Sequence, residues 1–225
     1  MHRNLTTILS LGLILFANIA YGQGINVRSY INQQNCDQIL DKGYYQLCYD
    51  YKAKGSRYAA YTLDGDKVNA VNIKKRPRFY PDKAIPRQYR TKSSDFTHNK
   101  FHADRGHLVP DGSQDHTQKS LNSVYSMANI IPQYSQINRR TWVKAEKYER
   151  LVATKLGQVN VIVGVEYGSY AKRLRKSGIA YPEAFWKMIY DNNGFERCFY
   201  YKNDSRAKIK GDKLKDHLID CGKLR

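Results

Sequence analysis

Four cysteines, at positions 36, 48, 198 and 221, bound what this chain can fold into. Two lie near one end and two near the other. There is no Cys-x-x-Cys pair, which argues against a zinc cluster or a thioredoxin-type site. An even set is expected to pair in an oxidising compartment. Cys36–Cys48 and Cys198–Cys221 are the favoured pairs, because each closes a short local loop. The N-terminus points to the same compartment. His2 and Arg3 precede an uncharged, mostly apolar stretch from Leu5 to Ala20, and Ala20-Tyr21-Gly22 sets small residues at a cleavage site. Residues 1–22 are therefore read as a secretory signal peptide. The stretch is short for a transmembrane anchor, and no later segment is apolar enough to span a bilayer. The expected product is secreted or periplasmic and begins near Gln23.

Residues 23–225 suit one domain, with its own core and disulfide-stapled N- and C-terminal segments. Residues 23–43 read as a polar leader segment. Tyr44 to Tyr51 and Arg57 to Leu63 read as a hairpin turning at Lys54-Gly55-Ser56. Pro77, Pro81 and Pro86 exclude a regular helix from the basic stretch 74–92. His107 to Pro110 reads as a strand stopped by proline, and Ser120 to Ala128 as a short helix. The clearest helix runs from about Ser135 to Leu156. Ile137, Thr141, Ala145, Tyr148, Val152 and Leu156 carry its apolar face, and Gly157 ends it. Val159 to Val165 reads as a buried central strand. Ala184 to Tyr190 and Glu196 to Tyr201 flank an Asn193-Gly194 hairpin turn. The fold class is α+β, an antiparallel sheet with helices packed on it.

The charge limits the partner. Lys plus Arg number 38 against 20 Asp plus Glu, a formal net charge of +18. Removing residues 1–22, which hold Arg3 and no acid, lowers this by one. An excess of this size points to a polyanion, and to nucleic acid before a membrane surface. The 19 tyrosines suit base stacking, and they equally suit half-buried strands.

Asp104-Arg105-Gly106-His107 and, further on, Asn129, Asn138 and Glu146 can together cut a phosphodiester. Such a site needs a base for water and neutralisation of the phosphate and leaving oxygen. His107 has a pKa range suited to accepting a proton at neutral pH. Arg105, two residues earlier on an extended strand, shares its face and presents a fork of donors that fits phosphate. Gly106 lets backbone or ligand come close. Asp104 also suits a turn or a cap. The Asn138 amide oxygen suits a hard cation such as Mg2+ better than zinc. On a regular helix, Glu146 stands about 80° and ~12 Å from Asn138. It would then act behind the metal ligand rather than beside it, and it is also spaced to pair with Arg150.

These residues, with Trp142 and the Asn129-Ile130-Ile131-Pro132-Gln133 block, closely resemble the DNA/RNA non-specific endonuclease family, whose active site is a ββα-metal motif. The likeness spans roughly residues 57 to 201. It implies His107 as general base, Arg105 as the motif arginine and Asn138 as the single Mg2+ ligand, with Mn2+ as a substitute ion. It also implies Glu146 as the helical glutamate and Asn129 as a supporting residue. An upstream arginine precedes an aromatic-x-x-Asp segment in the family. Phe79-Tyr80-Pro81-Asp82 matches that segment; Arg76 and Arg78 both precede it, and Arg78 is taken. The implied activity is hydrolysis of single- and double-stranded DNA and RNA, leaving 5′-phosphate ends. The alternative is a secreted nucleic-acid-binding protein without catalysis.

Overall fold

The computed structural model describes residues 27–207 and 209–224; the expected signal peptide lies outside them. Among the described residues nine strands, β1 (Gln38–Asp41), β2 (Tyr45–Asp50), β3 (Gly55–Asp64), β4 (Ala103–His107), β5 (Ile130–Tyr134), β6 (Gln158–Glu166), β7 (Ala184–Tyr190), β8 (Glu196–Lys202) and β9 (Leu218–Ile219), form two sheets. The larger has seven strands in the order β1-β2-β3-β6-β7-β8-β9, and every neighbouring pair is antiparallel. The α-helices are α1 (Val27–Asn32), α2 (Gln118–Val124) and α3 (Val143–Leu156). Among the described residues no helix is long and apolar enough to cross a membrane.

β6 is central because its side chains are needed on both sides. Val159, Val161, Val163 and Val165 alternate onto the face covered by α3. Ile162 points to the opposite face, against Trp186 and Met188. Two-residue alternation thus turns an apolar run into two half-cores. The opposite face is closed by Ile31 of α1 together with Cys48, Cys198 and Cys221. Both disulfides, Cys36–Cys48 and Cys198–Cys221, pair as the local-loop argument expects. The stapled ends therefore form the second layer over the sheet. The leader expected to be merely polar folds as α1 and β1.

Three boundaries differ from expectation. The short helix expected over Ser120 to Ala128 is α2, which starts at Gln118 and stops at Val124, and Met127–Asn129 form a separate 3-10 turn. The first hairpin turns at residues 51–54, with Lys54 at φ 54°, and Gly55 already starts β3. The strand expected over His107 to Pro110 begins four residues earlier, as β4, paired antiparallel with β5. Leu108 and Val109 are instead fully buried anchors beyond its end.

β4, β5 and the helix that follows make the expected ββα unit. That helix is not regular. Ile137–Trp142 is a π-helical stretch that runs into α3. A π turn closes hydrogen bonds over five residues rather than four, so the rotation per residue drawn from an α-helix does not hold between Asn138 and Glu146. Gly157, at φ +80°, ends α3 where L side chains are strained.

Candidate active site

β4 carries Arg105 and His107, two residues apart and in register with Pro132 and Ile130 of β5. Between them Gly106 faces Gln133. A Cβ at position 106 would fall 2.2 Å from Gln133 Oε1 and 2.3 Å from its Cδ, and Gln133 is fully buried. The close approach allowed by this glycine is thus made by a neighbouring side chain. Gly106→Ala is expected to destabilise the protein by about 1–3 kcal/mol through overpacking, read as a lower Tm. Adding Gln133→Ala should recover much of the loss; a single variant with wild-type Tm would show that the strand pair simply shifts.

The His107 ring lies 5.5 Å from that of Phe79 and 5.1 Å from that of Tyr125. Burial pushes its pKa down to about 4, opposed by Asp111 and reinforced by Arg76. The imidazole is therefore neutral at pH 7, and its buried Nε2 has no hydrogen-bond partner. Arg105 rests on the Phe79 ring at 5.1 Å, and its Nη1 donates to the Ser93 carbonyl at 3.4 Å. Its Nε has no partner, and among the described residues it forms no ion pair. Its charge is unspent beside a neutral base.

Asn129 is fully buried. Its Oδ1 accepts from Val109 N, and its Nδ2 donates to the carbonyls of Val109 and Val124, all at 3.0 Å. With its amide engaged in this way, it fixes the segment leaving His107 against the end of α2. Asp104 is more than a turn residue. It accepts Asn138 Nδ2 at 3.0 Å and a two-pronged pair of bonds from Arg139 at 2.7 Å each. Engaging Nδ2 orients the Asn138 amide and leaves its oxygen as the group that can bind an ion.

Glu146 is partly buried. Burial pushes its pKa up to about 7; Lys187 lowers it and Glu149 raises it. The expected helical partner, Arg150, directs Nη1 to Ser113 Oγ at 3.5 Å instead. Behind Glu146 lies a network that sequence reasoning missed. Glu149 and Lys187 form an ion pair with neither side chain exposed. Tyr61 Oη donates to Glu149 at 2.9–3.0 Å and Ser113 Oγ at 2.7 Å. The Lys187 ammonium sits 4.8 Å from the centre of the Trp142 ring. A lysine inside the apolar run of β7 was the available signal, since a buried charge requires a partner.

Of the two upstream arginines, Arg76 is tied to this site. It approaches Asp111 at 3.4 Å and Asp115 at 3.2 Å, and Tyr125 Oη donates to the same Asp111 carboxylate at 2.9 Å. Arg78, the residue taken from the sequence, is exposed and forms no ion pair among the described residues. Asp111, Asp115 and Tyr125 were not anticipated; the only trace is the Pro110-Asp111-Gly112 turn just past His107.

The donor set can be tested against a metal. Among the described residues no group of three or more His, Cys, Asp or Glu side chains could hold an ion. A closed zinc site is therefore not built from them. A single oriented amide oxygen fits a hard, largely hydrated cation such as Mg2+, which keeps most of its waters.

The ββα unit thus carries a neutral histidine, an arginine without an ion pair among the described residues and an oriented asparagine. Residues 23–216 match the DNA/RNA non-specific endonuclease family, and the chain belongs to that family. Human mitochondrial endonuclease G is 25% identical over 162 residues, covering 68% of this chain and 54% of its own length. Mitochondrial nuclease 1 of Schizosaccharomyces pombe is 28% identical over 166 residues, covering 68% and 51%. A nuclease of Nostoc sp. is 26% identical over 152 residues, covering 67% and 53%. The chain spans about half the length of these curated relatives. A chain in the crystal structure of the EndoG/EndoGI complex superposes with a TM-score of 0.72 at 20% identity, covering 84% of this chain and 83% of that one, and shows the same fold.

Proposed function

We propose that this protein is a metal-dependent endonuclease that hydrolyses phosphodiester bonds in both DNA and RNA, single- or double-stranded. The observation that carries the reading is the neutral His107, its Nε2 unpartnered, two residues from the unpaired Arg105. His107 accepts a proton from the attacking water. Arg105 holds a phosphate oxygen, with charge-assisted bonds that strengthen as charge builds on the phosphate. Asp104 orients Asn138, and Asn129 fixes the exit of β4; both are positioning residues. Glu146, at the edge of the Glu149–Lys187 network, orients polar groups beside Asn138. Arg76 takes the upstream arginine's place rather than Arg78. Mg2+, with Mn2+ as a substitute, would be held by Asn138 and would supply neutralisation of phosphate charge and stabilisation of the leaving oxygen. The water oxygen bonds to phosphorus as the P–O3′ bond breaks, and the departing 3′ oxygen takes a proton from solvent, leaving 5′-phosphate and 3′-hydroxyl ends.

Residues 23–225 act as one domain with its two ends stapled by disulfides. Export after removal of residues 1–22 is the accompanying proposal. Two disulfides suit an oxidising compartment, whereas several of the relatives carry mitochondrial names. The experiment is direct. Purified protein should cut plasmid and RNA with Mg2+, and excess EDTA should stop both. Activity should fall steeply with salt, because phosphate contacts release counterions. Binding without cleavage would favour the non-catalytic alternative, and RNA cleavage that survives EDTA would remove the metal from the mechanism.

A further inference from the structure

A cleft of about 680 Å3 opens where the ββα unit begins. It is lined by His102, the residue before β4, and by Tyr134, the last residue of β5. Its size falls in the range of small-ligand pockets. Its walls are aromatic. Tyr170 is 95% exposed, and Phe101 and Tyr181 lie ring to ring at 4.8 Å. Its rim is basic. Lys100, Lys172 and Lys202 are exposed and form no ion pair among the described residues. Arg206, by contrast, is held by Asp204. The floor is fixed, because Asn203 accepts from Tyr134 N at 2.7 Å and donates to the carbonyls of Pro132 and Pro182 at 3.0 Å each. His102 is exposed and held at φ +50°, a conformation uncommon for a residue with a side chain. Its carbonyl accepts from Ser135 N, at the start of the helix that carries Asn138.

We propose that this cleft is a base-stacking subsite for unpaired nucleotides, filled by the strand whose phosphate lies at His107. The reading of the neighbouring site as a nuclease supplies that phosphate, so the inference rests on it for context. Stacking platforms among spare cations are what single-stranded nucleic acid needs. A duplex hides its base faces, and turning one out costs a few kcal/mol, so the cleft discriminates against paired bases. His102 and His107 are five residues apart, so the subsite lies up to ~17 Å along β4 from the base. The cleft therefore reads nucleotides beyond those at the cut and gives single strands and unpaired ends an advantage over duplex.

The test is binding in EDTA to a fluorescent thymidine oligonucleotide of about 16 residues and to a duplex of the same length. Tyr170→Ala is expected to raise Kd for the single strand about tenfold, with a smaller change for duplex, as loss of one stacked base should. Tyr170→Trp should restore single-strand binding. Lys172→Ala should lower the salt slope by about one. Because Tyr170 is almost wholly exposed, its replacement leaves the core intact, which an unchanged Tm would confirm. An unchanged single-strand Kd, equal losses on both substrates, or failure of Trp to rescue would overturn the proposal. Displacement of the oligonucleotide by tripolyphosphate as effectively as by thymidine oligomers would also overturn it, leaving a plain anion patch. Plasmid cleavage by the unmodified protein tests the nuclease reading separately, so either idea can fail alone.

Discussion

His107→Ala should leave the protein folded and able to bind DNA while lowering kcat by about 100- to 10,000-fold, the usual worth of a positioned base. The neighbouring geometry sets this expectation: the imidazole is neutral, its Nε2 is unpartnered, and the Arg105 cation beside it remains to hold phosphate. The pH dependence follows with a definite sign. Burial lowers the folded pKa of His107 to about 4, below the ~6.5 of an unfolded histidine. The base form is thus available throughout the neutral range, and the acid limb of kcat/KM attributable to this residue should fall near pH 4 rather than near 6.5. Stability shares the window. The unfolded chain binds the extra proton between these two values, so the contribution of His107 is complete above ~6.5 and lost as pH falls toward ~4. Single-turnover cleavage of plasmid, with binding measured in parallel, decides the first point. Retention of full cleavage by the variant would remove His107 from the chemistry.

Lys187→Met should cost about 3–5 kcal/mol, because it strands the buried Glu149 carboxylate. In a domain of this size that lowers Tm by on the order of 10 °C. Lys187→Met combined with Glu149→Leu removes both charges and should recover most of the loss, since a buried ion pair is often no better than well-packed apolar groups. Activity should not follow stability. The double variant also takes away the lysine that opposes, and the carboxylate that reinforces, the raised pKa of Glu146. A thermally restored but less active protein is the expected result. If the single variant melts with the wild type, the pair does not hold α3 to the sheet; if the double variant melts as low as the single, a stranded carboxylate is not the cause.

How much of this was legible in the sequence differs by element. Val159 to Val165 announced a central strand because both faces needed apolar side chains, and Asn193-Gly194 and Gly157 marked ends that only particular backbones allow. The α1 helix and the two-residue β9 were not legible. They are too short to show a period, at six and two residues, and they lie beside the Cys36–Cys48 and Cys198–Cys221 bridges. At the site, Arg105, His107, Asn129 and Asn138 were readable as a spaced pattern, and the structure gathers them around the ββα unit. Asp104 as the anchor of Asn138 was not, since a carboxylate at a strand start has several local uses. Nor were the contacts that favour Arg76 over Arg78 in the proposed role accessible, because they reach Asp111 and Asp115, more than thirty residues away in the chain. The trace of the π stretch was present: Ile137, Thr141 and Ala145 recur at intervals of four, wider than the 3.6 of an α-helix.

That wide turn has a consequence for how relatives are to be aligned. It makes the spacing between Asn138 and Glu146 a matter of counting as well as of identity. Removing one residue between 137 and 142 would let the helix close into regular turns and swing Asn138 by about 100° relative to Glu146, with both letters still present. An alignment that opens a gap there would score the two residues as matched while placing them on different sides of the helix. Ancestry inferred across this segment is therefore safest when gaps are forbidden within it.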